Sequence, residues 1–201
     1  MYHLESYINI IKEEVVVSVG CTEPIAVAYI AAKATELLGE KPDKIIVECS
    51  ANIIKNAKSV SIPNCKELKG IVAATVVGSI VKNSEKSLRL LENVSEKVIE
   101  EARETLQKDH VKLKLLETVE KLHIITNCYF KDEYAKVEIK GAHTNIVKME
   151  KNGEVVFKNI DNISSITDVH FTDRGILYVK DICEFVKNVD IELIKPLLRD
   201  A

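Results

Sequence analysis

The chain has 201 residues, 46% of them hydrophobic and 29% charged, with a formal net charge of -3. That is enough chain to bury a sizeable core, and its balance is that of an ordinary globular protein. No basic stripe interleaved with aromatics is present, which argues against nucleic acid as a partner.

The N-terminus, Met1-Tyr2-His3-Leu4-Glu5, lacks the basic and apolar regions of a signal peptide. No later apolar run is long enough to span a bilayer, so the expected setting is the cytoplasm, with no membrane contact. Five cysteines, Cys21, Cys49, Cys65, Cys128 and Cys183, form an odd and irregularly spaced set. That pattern argues against a disulfide framework, and the lack of any CxxC pair argues against a locally encoded metal site. A metal site here needs ligands from distant segments.

In chain order, Leu4, Tyr7, Ile8, Ile11 and Val15 recur at helical spacing and predict an amphipathic helix over about 2–19. Gly20-Cys21-Thr22-Glu23-Pro24 follows, with Thr22 as the expected N-cap and Glu23 and Pro24 suited to a first turn. Cys21 at a helix N-terminus is placed where a thiol's pKa falls, favouring the thiolate that attacks electrophiles or binds metal. A small buried residue at a turn is the other reading of Cys21. The alanine-rich stretch to Leu38, closed by Gly39, predicts a buried central helix.

Residues 44–49 carry strand character, and 50–57 predict a helical turn with Asn52 and Asn56 four apart and Lys55 beside them. Such donors suit a carboxylate, and polar loop chemistry is the competing account. An apolar helix is expected over 68–81, tolerating Gly70 and Gly78 if something packs against the backbone there. Charged amphipathic helices follow over 84–91 and 95–106, the second capped by Ser95.

From Val111 the period changes to two, with strands expected near 111–115, 122–126, 134–139 and 141–150. Asn152-Gly153 signals a hairpin leading into 154–157. On a strand His143 and Asn145 share one face, with Thr144 on the other. Two short helices end the chain, near 179–186 and 191–198, with Cys183 on the apolar side of the first. The expected class is α+β, a single domain over 1–201, with helices at both ends around a central antiparallel sheet.

Taken together, Gly20-Cys21-Thr22-Glu23-Pro24, Asn52-Ile53-Ile54-Lys55-Asn56-Ala57, Leu68-Lys69-Gly70-Ile71 and His143-Thr144-Asn145-Ile146-Val147 resemble, in this order, the cysteine desulfidase family. That family is related to the α domain of iron-sulfur L-serine dehydratase. The resemblance covers the N-terminal half of the family pattern. It implies elimination of sulfide from L-cysteine to pyruvate and ammonia, with serine dehydration as the close variant.

It implies further that Cys21 is one ligand of a [4Fe-4S] cluster whose other ligands lie outside this chain. Lys55 and His143 are the implied candidates for the base. Thr22, Asn52, Asn56, Thr144 and Asn145 are the implied lining of an amino-acid site. The expected partners are a small amino-acid substrate and a C-terminal half or second subunit, with self-association through apolar surface as a further expectation. Two other classes compete: a cofactor-free amino-acid binding module, and an enzyme with Cys21 as nucleophile and His143 as its base.

Overall fold

The computed structural model describes residues 4–15, 17–159 and 172–199. The chain divides by its contacts into two compact units, Val19–Ile160 and a second formed by Met1–Ser18 with Asp161–Ala201. Each has its own cluster of buried side chains.

The larger unit is α+β, as expected, and is built on a six-stranded sheet. Its strands are β1 (Lys44–Cys49), β2 (Val111–Leu115), β3 (His123–Phe130), β4 (Glu133–Lys140), β5 (Ile146–Lys151) and β6 (Glu154–Lys158). The spatial order is β2-β1-β3-β4-β5-β6. Period-two alternation gives one apolar face, in rows that run across three strands. Ile45 pairs with Cys128 and Cys128 with Ala135; Val47, Thr126 and Val137 form the next row, and Cys49, Ile124 and Ile139 the third. All nine side chains are buried. The opposite face is polar: Asn127 Nδ2 donates to Glu48 Oε1 at 3.2 Å, and His123 bridges Glu138 Oε1 at 2.9 Å and Thr118 Oγ1 at 3.1 Å.

The sheet is mixed, which corrects the purely antiparallel expectation: β1 and β2 run parallel, with Ile45 beside Val111. The cause lies in the connection. Helices α3 (Ala51–Ala57), α4 (Gly70–Val81) and α5 (Glu96–Leu106) fill the crossover from β1 to β2 and return the chain to the end where β1 began. The Asn152-Gly153 hairpin forms as read, with φ of 50° and 86° at its two central residues.

Helix α2 (Thr22–Leu38) belongs to the apolar side of this sheet. Every residue from Pro24 to Ala32 is buried, as expected for a helix that is apolar all round. It permits an unusually close neighbour: a Cβ built on Gly78 of α4 would lie 2.0 Å from the carbonyl oxygen of Ala28. The glycine at 78 is therefore what lets the two helix backbones touch.

Several boundaries move. Cys21, not Thr22, occupies the N-cap position of α2, so the helix starts two residues before Pro24. Residues Ser84–Arg89 form 3-10 structure and not an α-helix, broken at Ser87 with φ 50°. Ser95 caps α5 as expected, its Oγ accepting from the Val98 N–H at 3.4 Å.

The smaller unit holds α1 (Leu4–Glu14), α6 (Val179–Asn188) and α7 (Ile191–Arg199). Tyr7 and Phe185 stack with ring centroids 5.0 Å apart, and Ile194 completes their cluster. Arg174 joins Glu13 and Glu14. Cys183 is exposed, which corrects its expected place in a core. Only Phe185 of α6 is buried, and Ile182 and Val186, which flank it on the helix, are exposed.

Among the described residues no helix is long and apolar enough to cross a membrane.

Candidate functional site

The site grows from the turn before α2. Gly20 is needed there because a Cβ would meet Pro63 Cγ at 2.7 Å, so the turn lies pressed against the 61–65 segment. The chain then enters α2 with Cys21 exposed at its start. The Cys21 thiol donates to Glu23 Oε2 at 3.3 Å, and the Thr22 hydroxyl donates to the same oxygen at 3.4 Å.

Two other elements reach this turn. The last turn of α3 brings Asn56, whose Nδ2 donates to Glu23 Oε1 at 3.4 Å. The helix forms as the sequence predicts, burying Ile53 and Ala57 while Asn52, Lys55 and Asn56 stay exposed. The side chains of Asn52 and Lys55 have no hydrogen-bond or ion-pair partner among the described residues, so their donors are available. The third element is the loop between β4 and β5. It places His143 close enough to Glu23 for the two charges to act on each other.

That loop corrects one expectation. Residues 141–145 are turn and not strand, and β5 begins only at Ile146. The alternation of His143, Thr144 and Asn145 therefore does not hold. Asn145 Nδ2 donates to the Lys140 carbonyl at 2.8 Å and the Lys140 N–H returns a bond to Asn145 O, so this side chain closes the loop. Thr144 is exposed. The local cause is Gly141, with φ 79°, which turns the chain out of β4.

Glu23 is thus the hub, joined to Cys21, Thr22, Asn56 and His143. In the sequence Glu23 reads only as an acid suited to a helix start. Its place two residues after Cys21 in the same motif was the available signal. Burial works against its ionisation, but its own backbone N–H, the Cys21 thiol, the Asn56 amide and His143 together hold the carboxyl below the usual range. Burial pulls the His143 imidazole down, with Glu23 opposing, so it is neutral near pH 7.

Cys21 behaves opposite to the expectation for a helix N-terminus. Burial and then the hydrogen bond and charge of Glu23 push its thiol up, against the Glu23 backbone N–H. Burial and, after it, the nearby carboxylate outweigh the helix end, and the protonated form is favoured.

Of the residues singled out, the structure gathers Cys21, Thr22, Asn56 and His143. Asn52 and Lys55 stand on the same short helix as Asn56, and Asn145 serves the loop.

These residues do not by themselves fit a four-iron cluster, which normally takes several cysteine thiolates. Among the described residues no group of three or more His, Cys, Asp or Glu side chains is placed to hold a metal ion. Cys49, Cys65 and Cys128 are buried, their thiols pushed by burial to about 12, about 11 and about 12. Cys21 offers one ligand.

No family model matches the chain, and no solved structure matches it. It is similar to proteins named UPF0597. The relative from Desulfitobacterium hafniense (strain Y51) is 43% identical over 196 residues, 98% of this chain and 45% of the relative. That from Lachnoclostridium phytofermentans is 45% identical over 95% of this chain and 45% of the relative. That from Treponema denticola is 41% identical over 96% and 45% respectively. These relatives correct the resemblance drawn from the motifs, since none of the three carries the name cysteine desulfidase. The chain spans less than half the length of each of them.

Proposed function

We propose that the chain carries part of the site of a lyase that eliminates the β-substituent of a small L-amino acid, sulfide from L-cysteine or, as the close variant, water from L-serine. The observation that supports it most is the convergence of a neutral imidazole, an ionised carboxylate and amide donors at the start of α2. Glu23 suits the substrate ammonium, and Asn52, Lys55 and Asn56 offer donors for its carboxylate.

His143, neutral at working pH, is better placed than Lys55 to take the α-proton, because it alone stands beside the carboxylate hub. As the proton leaves Cα, the Cα–Cβ double bond forms and the Cβ–S bond breaks with its electron pair on sulfur. The aminoacrylate formed then takes up water to give pyruvate and ammonia. The cytoplasm is the proposed setting, in keeping with five free thiols.

A cofactor-free amino-acid binding module is the second reading. It draws support from the raised Cys21 thiol and from the single ligand it offers.

The test mixes this chain, without oxygen and with iron and sulfide supplied, with a polypeptide covering the remaining length of the D. hafniense relative. Pyruvate released from L-cysteine by the mixture, and lost with His143→Ala, supports the lyase. Saturable binding of L-cysteine with no pyruvate in any mixture leaves the binding module in its place.

A further inference from the structure

The end of α2 away from Cys21 carries a second collection of polar groups. Seventeen helical residues put about 25 Å between the two ends. Beyond Gly39 the chain enters β1 through Lys41-Pro42, and there a cavity of about 160 Å³ opens between β1, β2, α5 and the carboxyl end of α4. Its floor is apolar, from Ile45, Ile80 and Val111; Lys41, Lys82 and His110 stand around it. A water's share of liquid volume is about 30 Å³, so the space matches about five waters or one short organic molecule.

The charges in this cavity do not cancel. Lys41 is paired with Glu101, which also lines the cavity, whereas Lys82 and His110 have no side-chain partner among the described residues. Lys82 also closes α4, where a cation complements the helix end. It does so at φ 48° and ψ 49°, a left-handed conformation that glycine fills more cheaply. A lysine at that position keeps a charged side chain at the cavity where a glycine would serve the cap alone.

We infer that this cavity is a binding site for a short aliphatic carboxylate. The carboxylate meets Lys82 and His110, and the hydrocarbon lies on Ile45, Ile80 and Val111. Inorganic anions lack the apolar half of this match, and the Lys82 ammonium disfavours amines. The inference does not rest on the lyase reading, since the site shares no residue with the Cys21 cluster.

The experiment follows methyl signals of the isotope-labelled chain during titration with sodium isobutyrate, with sodium phosphate as the purely ionic control. Isobutyrate should move the methyls of Ile45, Ile80 and Val111 in a saturable way, and phosphate should not. Lys82→Ala and His110→Ala should each raise the midpoint roughly tenfold, the cost of one charge-assisted hydrogen bond. No saturable movement up to about 50 mM, well above the millimolar range of a weak ligand, overturns the site. Equal movement by phosphate, or an unchanged midpoint in both variants, overturns it as well. The titration of the unaltered chain decides the question even if a variant fails to fold.

Discussion

The first turn of α2 and the rest of the same helix show how one element serves two opposed demands. From Pro24 to Ala32 the helix is buried on every side and its backbone touches Gly78 of α4. In the turn before that, Cys21 is exposed, and Glu23 gathers four polar neighbours from three segments. Dispersion and burial fix the body of the helix, and the body holds its open end in place. The two regions should therefore respond to substitution in different currencies, stability for one and chemistry for the other.

The largest break in that comparison is Gly78→Ala. A methyl 2.0 Å from a backbone oxygen forces the helices apart, and urea denaturation should show a loss of at least about 3 kcal/mol. Ile30→Ala, at a fully buried position on α2, should cost about 2–4 kcal/mol by the same measurement. Cys21→Ser, at the open end, should change stability by less than about 1 kcal/mol.

The cysteines sharpen the contrast. A thiol reagent at neutral pH should modify Cys21 and Cys183 in the native protein and reach Cys49, Cys65 and Cys128 only after denaturation. Burial raises the pKa of all three above that of an ordinary thiol, to between about 11 and about 12. Their contribution to stability is whole below the ordinary thiol value and falls as pH rises from about 9 towards 11 and 12. Equilibrium unfolding across this range should show the loss, and Cys128→Ala should reduce its slope.

The smallest effects come from Glu23→Gln. Without the carboxylate the Cys21 thiol loses a cause of its raised pKa, so modification at pH 8 should quicken several-fold. His143 loses the charge that opposes burial, and its imidazole signals should titrate at still lower pH. The sign in stability follows from its depressed folded pKa. The stability it lends is present above the ordinary imidazole value, about 6.5, and is lost as pH falls below it, and Glu23→Gln should carry that loss to lower pH.

Much of this architecture was written locally. Helix α2, its Gly39 stop, the Ser95 cap and the Asn152-Gly153 hairpin each rest on side chains within a few residues, where propensity and turn chemistry act. The parallel pairing of β1 with β2 depends on a crossover of three helices, and no local pattern encodes its direction. Alternation around His143 mimics a strand, and only the left-handed turn at Gly141 breaks it. At the site, Cys21, Asn56 and His143 were legible as residue types. Their meeting on Glu23 was not, because it joins positions 33 residues apart and further. The reversal of the Cys21 shift has the same origin. A helix end is visible in sequence, whereas a carboxylate turned onto the thiol is a matter of side-chain geometry.

The carboxylate beside Cys21 also bears on how the protein ages in air. Peroxide and disulfides attack sulfur as thiolate, and burial together with Glu23 favours the protonated form of this sulfur. A cysteine whose surface is still reachable is thereby slowed in its oxidation by partial burial and by its neighbour together. The protection lasts only while the proton stays, so alkaline storage removes it first at Cys21 and leaves the three core thiols untouched.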